Sequence, residues 1–276
     1  MWRTGLTLEG RAEKGTLGGA ILVAIPDGRK AVVTRFLGPV AEAQRTARIL
    51  AEASRNGLPV PQYHLIAPVE DDVFLVQERL PGRPPAAVTP AIITAIVEMN
   101  ERFAHGLQHQ ADVPQIELCL RKSGNPYPRH EVLAAHSDRS RAILDRIRAI
   151  GRAAADVAAG DDLVHIDLTP DNVLFDDDGA ITGVIDWNLG VYRGDRYLAL
   201  VKTRFDLEWS LHERAQNDAC EDAARTLDTF LDAAVPQRTL KAYWAHRMLY
   251  QLHWTLPDAP ADIINWHLDV AESRLQ

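Results

Sequence analysis

Along the first third of the chain, apolar positions come in short runs separated by turn-forming residues. The run Ala20 to Ile25 is followed by Pro26-Asp27-Gly28 and then by Ala31-Val32-Val33. Asp-Gly between two such runs predicts a β-hairpin. Pro39 opens a helix in which Ala43, Ala47, Leu50 and Ser54 share a face, and Gly57 closes it. Pro59-Val60-Pro61 breaks the chain ahead of two more strand-like stretches, Tyr63 to Ile66 and Val73 to Gln77. Leu80-Pro81-Gly82-Arg83-Pro84-Pro85 continues neither a strand nor a helix and reads as a linker. Beyond it the period changes. Thr89-Pro90 is a cap followed by a first-turn proline, and Ile92, Ile93, Ile96 and Val97 give a helical apolar face. A looser stretch around Gly124 to Pro128 precedes a helix expected from about Arg139 to Ala158. Leu163 to Trp187 reverts to strand and loop, and everything beyond about Tyr197 reads as helix. The pattern predicts an α+β chain with two lobes. A small β-rich lobe spans residues 1–82, a hinge lies at about 78–83, and a larger α-helical lobe spans 83–276, with ligand expected in the cleft.

Composition narrows the class of partner. The 276 residues are 46% hydrophobic and 25% charged, ordinary for a soluble domain, and the formal net charge is -8. That sign argues against nucleic acid or an anionic membrane as the main partner, since both need basic patches. Cys119 and Cys220 are far apart and form neither a CxxC pair nor a disulfide framework. The N-terminal residues lack a signal-peptide apolar region, and the longest apolar runs are too short to span a bilayer, so a cytoplasmic location is expected.

The chemistry concentrates between residues 163 and 195. Leu163-Val164-His165-Ile166-Asp167-Leu168-Thr169-Pro170-Asp171-Asn172-Val173-Leu174-Phe175 runs into Asp176-Asp177-Asp178-Gly179, then Ile181-Thr182-Gly183-Val184-Ile185-Asp186-Trp187. Two short strands around a tight acidic turn form a hairpin, which brings its outer ends together. Asn172 before the first strand therefore lies near Asp186 after the second, and Asp167 sits on the preceding loop. Two carboxylates and an amide oxygen at one end of a hairpin suit phosphoryl transfer. One carboxylate orients an attacking hydroxyl and takes its proton, while hard oxygen ligands hold Mg²⁺ on the β- and γ-phosphates of ATP. The run Asp176 to Asp178 lacks the ligand spacing of a calcium loop and reads as a solvated turn.

The spacing His-x-Asp-x4-Asn, with a further Asp after a hairpin, matches the catalytic and metal loops of kinases. His165-Ile166-Asp167, Asp171-Asn172 and Ile185-Asp186-Trp187 resemble the aminoglycoside phosphotransferase and choline-kinase-like family of small-molecule kinases. An Ala-Pro-Glu activation segment of protein kinases is absent from the sequence. The resemblance spans most of the chain, but its specific motifs lie within residues 163–195. It implies a bilobal protein-kinase-like fold, with Asp167 as catalytic base, Asn172 and Asp186 as metal ligands, and His165 bracing the loop. It also implies that Asp195 of Gly194-Asp195 supports the catalytic loop. In Gln77-Glu78-Arg79-Leu80, which resembles the family hinge, the carbonyl of Glu78 and the N–H of Leu80 would hold adenine. The activity implied is transfer of the ATP γ-phosphate to a hydroxyl of a small molecule. An antibiotic, aminoglycoside or nucleoside-type, is the leading acceptor. An amino alcohol, homoserine or a sugar is the metabolic alternative, and a silent nucleotide-binding module the non-enzymatic one.

Other features carry alternatives. Gly15 to Gly19, including Gly18 and Gly19, reads either as a phosphate-covering loop or as a plain hairpin turn. The strand lysine expected near residue 34 is missing from Val32-Val33-Thr34-Arg35-Phe36, and the helix glutamate that should pair with it aligns with Thr46. Arg35 held by Glu42 is the candidate replacement, although strand alternation sends Thr34 and Arg35 to opposite faces. His105 and His109 have the i, i+4 spacing of a metal pair without a third ligand. In the last third Tyr243, Arg247, Tyr250 and Trp254 share one helical face and Trp244, Met248 and Leu252 another, one for the core and one available to substrate.

Overall fold

The computed structural model describes residues 5–11, 19–213 and 218–276. The chain folds into two units, one of residues Met1–Arg102 and His165–Val191, the other of Phe103–Val164 and Tyr192–Gln276.

The first unit is built on five antiparallel strands: β1 (Thr7–Arg11), β2 (Ile21–Ala24), β3 (Lys30–Phe36), β4 (Tyr63–Val69) and β5 (Asp72–Glu78), in the order β1-β2-β3-β5-β4. β2 and β3 form the expected Asp-Gly hairpin, in which the Asp27 carboxylate accepts from the Arg29 N–H at 3.0 Å. Along β3 Thr34 and Phe36 are buried on one face and Arg35 between them is exposed, as strand alternation requires, while Ala31 is buried on the opposite face. Helix α1 (Val40–Arg55) follows β3 and buries Ala43, Thr46, Ile49, Leu50 and Ala53. This corrects the face expected from Ala47 and Ser54. Thr46 counts as polar in a sequence pattern, yet it is 1% exposed and rotates the stripe. Phe36, Ala43, Val73 and Leu75 form a core between α1 and the sheet, while Val23, Ala31 and Val76 form another cluster. Helix α2 (Pro90–Glu101) starts as expected, with the Thr89 hydroxyl accepting from the Ile92 N–H at 3.4 Å.

The segment 80–85 is not a free linker. β7 (Val173–Phe175) and β8 (Ile181–Val184) form the acidic-turn hairpin, and the chain after β5 is stitched to it. Arg83 and Phe175 exchange backbone hydrogen bonds of 3.0 and 2.9 Å, and the Thr182 hydroxyl donates to the Pro81 carbonyl at 2.7 Å. Gly82 lies between them at φ +95, where an added Cβ would stand 2.3 Å from the Thr182 hydroxyl oxygen and 2.7 Å from the Phe175 carbonyl.

In the second unit, β6 (Asp162–Val164) pairs with β9 (Tyr192–Gly194), accompanied by α3 (His130–His136), α4 (Asp138–Ala153), α5 (Tyr197–Glu213), α6 (Asp218–Ala234), α7 (Gln237–Asp258) and α8 (Ala261–Arg274). α4 ends at Ala153 rather than Ala158, because Ala158 donates to Ile116 and Glu117 bridges Val157 in extended backbone. On α7, Trp244, Met248 and Leu252 are the core face, while Arg247 and Tyr250 are half-buried and Trp254 is exposed. Residues 102–109 form turns rather than a helix, so His105 and His109 do not share a helical face. Both cysteines are free. Among the described residues, no helix is long and apolar enough to cross a membrane.

Candidate active site

Between β6 and β7 the chain runs His165 to Asn172, ending in a 3₁₀ turn over Pro170–Asn172. The Asn172 amide nitrogen donates to the Asp167 carbonyl at 2.9 Å, closing the loop on itself. That bond engages the amide nitrogen of Asn172 and leaves its amide oxygen as an available acceptor. The Ile185 N–H donates to the Asn172 carbonyl at 2.9 Å, so the residue before Asp186 is fastened to the residue that opens β7. The hairpin therefore brings Asn172 and Asp186 to one end, with Asp167 on the loop above.

His165 ties these loops together. It is 2% exposed, its Nε2 lies 2.8 Å from the Ile185 carbonyl, and its Nδ1 lies 3.2 Å from the Asp167 N–H. These partners define a neutral tautomer, with Nε2–H donating and Nδ1 accepting. Burial, the largest influence, lowers its pKa in keeping with that state. The ring packs 4.3 Å from that of Trp187, whose indole N–H donates to the Val184 carbonyl at 2.9 Å.

Asp186 adopts φ 64, a left-handed backbone uncommon outside glycine. Burial pushes its carboxyl above the usual carboxylate range and the nearby Asp167 charge adds to this, whereas hydrogen bonds from Asn188 oppose it. The Asp186 carboxylate and the Asn172 amide oxygen are hard donors, suited to a small divalent cation whose charge would relieve that burial. The residues present therefore fit a Mg²⁺ site.

Asn188, which sequence reasoning passed over, donates from its amide nitrogen to the Asp186 carboxylate at 2.6 Å. Its amide oxygen accepts from the Thr34 hydroxyl at 2.9 Å, and the Gln77 amide nitrogen donates to that hydroxyl at 3.2 Å. Asking what occupies the place of the missing lysine was the signal that could have found it.

Arg35 leaves this side of the sheet. Its guanidinium pairs with Asp72 at 2.7 Å on the exposed face, and not with Glu42. The reason is the alternation of β3, which commits Thr34 to the interior. Glu78 closes β5, its N–H donating to the Gln62 carbonyl at 2.8 Å and its carboxylate accepting from the Gln62 N–H at 3.3 Å. Leu80 follows, half-buried. Gly19 precedes β2 at φ 69, while Gly15 to Gly18 lie outside the described residues. In the second unit, Asp195 accepts from the Tyr243 hydroxyl at 2.7 Å and from the Tyr197 N–H at 2.9 Å. His105, Asp161 and Asp162 also cluster there. Their atoms are engaged, His105 with both carboxylates and Asp162 with Arg196 at 3.0 Å.

The profile of the phosphotransferase enzyme family matches residues 13–197, two thirds of the chain. The chain belongs to this family. The phosphotransferase is a small-molecule kinase, with the α+β kinase-like fold of its solved neighbours. A thermostable mutant of the aminoglycoside phosphotransferase APH(4)-Ia, in ternary complex with ADP and hygromycin B, is similar at 20% identity and a TM-score of 0.68, covering 96% of this chain and 92% of that one. An aminoglycoside-3'-phosphotransferase of type VIII is similar at 20% identity and 0.60, covering 89% and 93%. The amicoumacin kinase hAmiN, in complex with AMP-PNP, Ca²⁺ and Ami, is similar at 12% identity and 0.67, covering 99% and 89%. No curated protein sequence matches the chain significantly.

Proposed function

We propose that this phosphotransferase moves the γ-phosphate of ATP, with Mg²⁺, to a hydroxyl of an antibiotic of aminoglycoside or nucleoside type, a reaction that confers resistance. The observation that carries the reading is the convergence of Asp167, Asn172 and Asp186 at one end of the β7–β8 hairpin, with His165 bonded to both loops. The neighbours that carry ADP or AMP-PNP together with hygromycin B or Ami support the nucleotide and the class of acceptor. In this reading residues 1–82 form the nucleotide-binding lobe and residues 83–276 the lobe that holds the catalytic and metal loops and the acceptor. Asp167 orients the acceptor hydroxyl and takes its proton as the new O–P bond forms and the bond to the β-phosphate oxygen breaks, releasing ADP. Asn172 and Asp186 hold the metal, which when bound neutralises charge on the phosphates. The carbonyl of Glu78 and the N–H of Leu80 receive adenine, and the backbone of Gly18 and Gly19 covers the phosphates. The protein acts in the cytoplasm, without nucleic acid or membrane as partner.

The test is ADP release by the full chain over a panel of antibiotics and small hydroxyl metabolites, with Asp186→Ala as control. Turnover on an antibiotic, abolished in the variant, supports the reading. Turnover confined to an amino alcohol, homoserine or a sugar moves the acceptor to metabolism. Nucleotide binding without turnover on any acceptor replaces the kinase by a silent module.

A further inference from the structure

The family resemblance places a lysine in the third strand near residue 34, where this chain has Thr34, and the structure shows what that threonine does. Thr34 is 9% exposed, and its hydroxyl reaches across the sequence to Asn188. Behind it Gln77, 5% exposed on the neighbouring strand, donates to the same hydroxyl. In front of it Asn188 donates to the Asp186 carboxylate. The chain of donors therefore runs Gln77 to Thr34 to Asn188 to Asp186, in one direction, and ends on the proposed metal ligand. The backbone repeats the link, since the Leu37 N–H at the end of β3 donates to the Asn188 carbonyl at 2.8 Å.

Packing alone does not account for these residues. A core position in β5 is served best by an apolar side chain, as its neighbours Leu75 and Val76 show. Gln77 instead buries an amide whose oxygen has no hydrogen-bond partner among the described residues, and Tyr63, opposite it on β4, has a buried hydroxyl in the same state. Leaving such a group unsatisfied carries a desolvation penalty. The bond that Gln77 does make goes to Thr34, so this cost is borne for the chain leading to Asp186. Nor is Asp186 in a relaxed conformation that would aim its carboxylate unaided, with its left-handed φ of 64.

We infer that Asn188, oriented by Thr34 and Gln77, is a positioning residue that aims the Asp186 carboxylate at the metal, so that a hydrogen-bond relay fills the place of the strand lysine. The inference rests on the proposed function, because it needs Asp186 to bind a divalent cation. A lysine would act by charge on the phosphates. The relay acts on the metal ligand, and its loss changes metal affinity before it changes nucleotide affinity.

The test uses the full chain, AMP-PNP as nucleotide, and thermal stability rather than turnover as readout. Mg²⁺ is titrated at fixed AMP-PNP, and the concentration for half-maximal protection is compared among wild type, Thr34→Val, Thr34→Ser and Asn188→Ala. Loss of a residue that orients a metal ligand typically weakens metal binding about 10–100-fold. Asn188→Ala is therefore expected to raise the half-saturating Mg²⁺ by about tenfold or more. Thr34→Val, one bond further away, is expected to raise it by roughly several-fold, and Thr34→Ser to restore it. Protection by AMP-PNP without metal stays as in wild type, and the double variant is no worse than Asn188→Ala, as a single relay demands. Metal-dependent protection in wild type with unchanged half-saturation in both variants overturns the relay alone, as does full additivity in the double variant. If Thr34→Val does not fold, Asn188→Ala at its half-buried position decides. No metal-dependent protection in wild type overturns the proposed function, and the relay with it.

Discussion

Replacing Gly82 by alanine tests whether the turn after β5 is fastened to the β7–β8 hairpin as tightly as the distances imply. At φ +95 an L-residue meets backbone repulsion of about 1–2 kcal/mol. The new Cβ would also lie 2.3 Å from the Thr182 hydroxyl oxygen and 2.7 Å from the Phe175 carbonyl, neither of which is the free end of a flexible chain. Relief requires the strands to part, which strains the paired bonds of Arg83 with Phe175 and the bond from Thr182 to Pro81. Each is worth about 1 kcal/mol. The total expected loss is about 3–5 kcal/mol, the sum of the backbone repulsion and two to three weakened bonds. Gly179 supplies the control. It has a similar φ of +84 with nothing within 4 Å of an added Cβ, so Gly179→Ala should cost only the backbone part, about 1 kcal/mol. Urea unfolding followed by far-UV circular dichroism measures both. Equal losses within about 0.5 kcal/mol, the usual reproducibility of such comparisons, would refute the contact argument.

Three further outcomes are expected. Asp167→Asn lowers kcat by about 10²–10⁴-fold while Mg-nucleotide protection against heat remains, as loss of a general base requires; near wild-type turnover removes Asp167 from that role. Arg35→Ala leaves the KM for ATP within about twofold, because its guanidinium is engaged with Asp72 on the exposed face in a surface pair of the kind worth little; a several-fold rise would return Arg35 to the phosphates. His246 has its pKa lowered by burial to about 4, and its ring N–H donates to the Leu118 carbonyl at 3.0 Å. The unfolded chain takes up a proton near pH 6.5 that the folded one refuses, so this contribution is complete above about pH 6.5 and is lost as pH falls towards 4, by at most about 3 kcal/mol. Urea midpoints between pH 7 and 4 should fall less steeply in His246→Gln, and an unchanged slope would count against the assignment.

What could be read from sequence was local. The hairpin over residues 173–184 announces itself by two apolar runs around an acidic turn ending in Gly179, and α2 by Thr89-Pro90. Because a hairpin joins its own ends, the approach of Asn172 to Asp186 also follows from one stretch of chain. What escaped depends on distant partners. Thr46 is buried, and a Cβ added at Gly190 would stand 3.6 Å from its hydroxyl oxygen; the 80–85 segment is pinned by Phe175 and Thr182, far later in the chain. Arg35 was a candidate by charge, but strand alternation turns it away and gives the interior to Thr34. Asn188 is marked in the sequence only through the missing lysine near Thr34, since its importance lies in bonds to residues more than 100 positions earlier.

The first unit is discontinuous, and this has a consequence for how the protein is made. Its sheet and α2 are complete at Arg102, but the segment that accepts from Leu37 and Thr34 and brackets Arg83 arrives only with His165–Val191. At translation rates of about 5–20 residues per second, the nascent sheet waits on the order of ten seconds for it. Throughout that interval the Leu37 N–H lacks its native acceptor, and the Thr34 and Gln77 polar groups lack the rest of their relay. The residues proposed for chemistry are thus also the last stitch of the unit. A ribosome that stalls between residues 103 and 164 releases a sheet with open hydrogen-bonding groups, a natural target for chaperones and proteases.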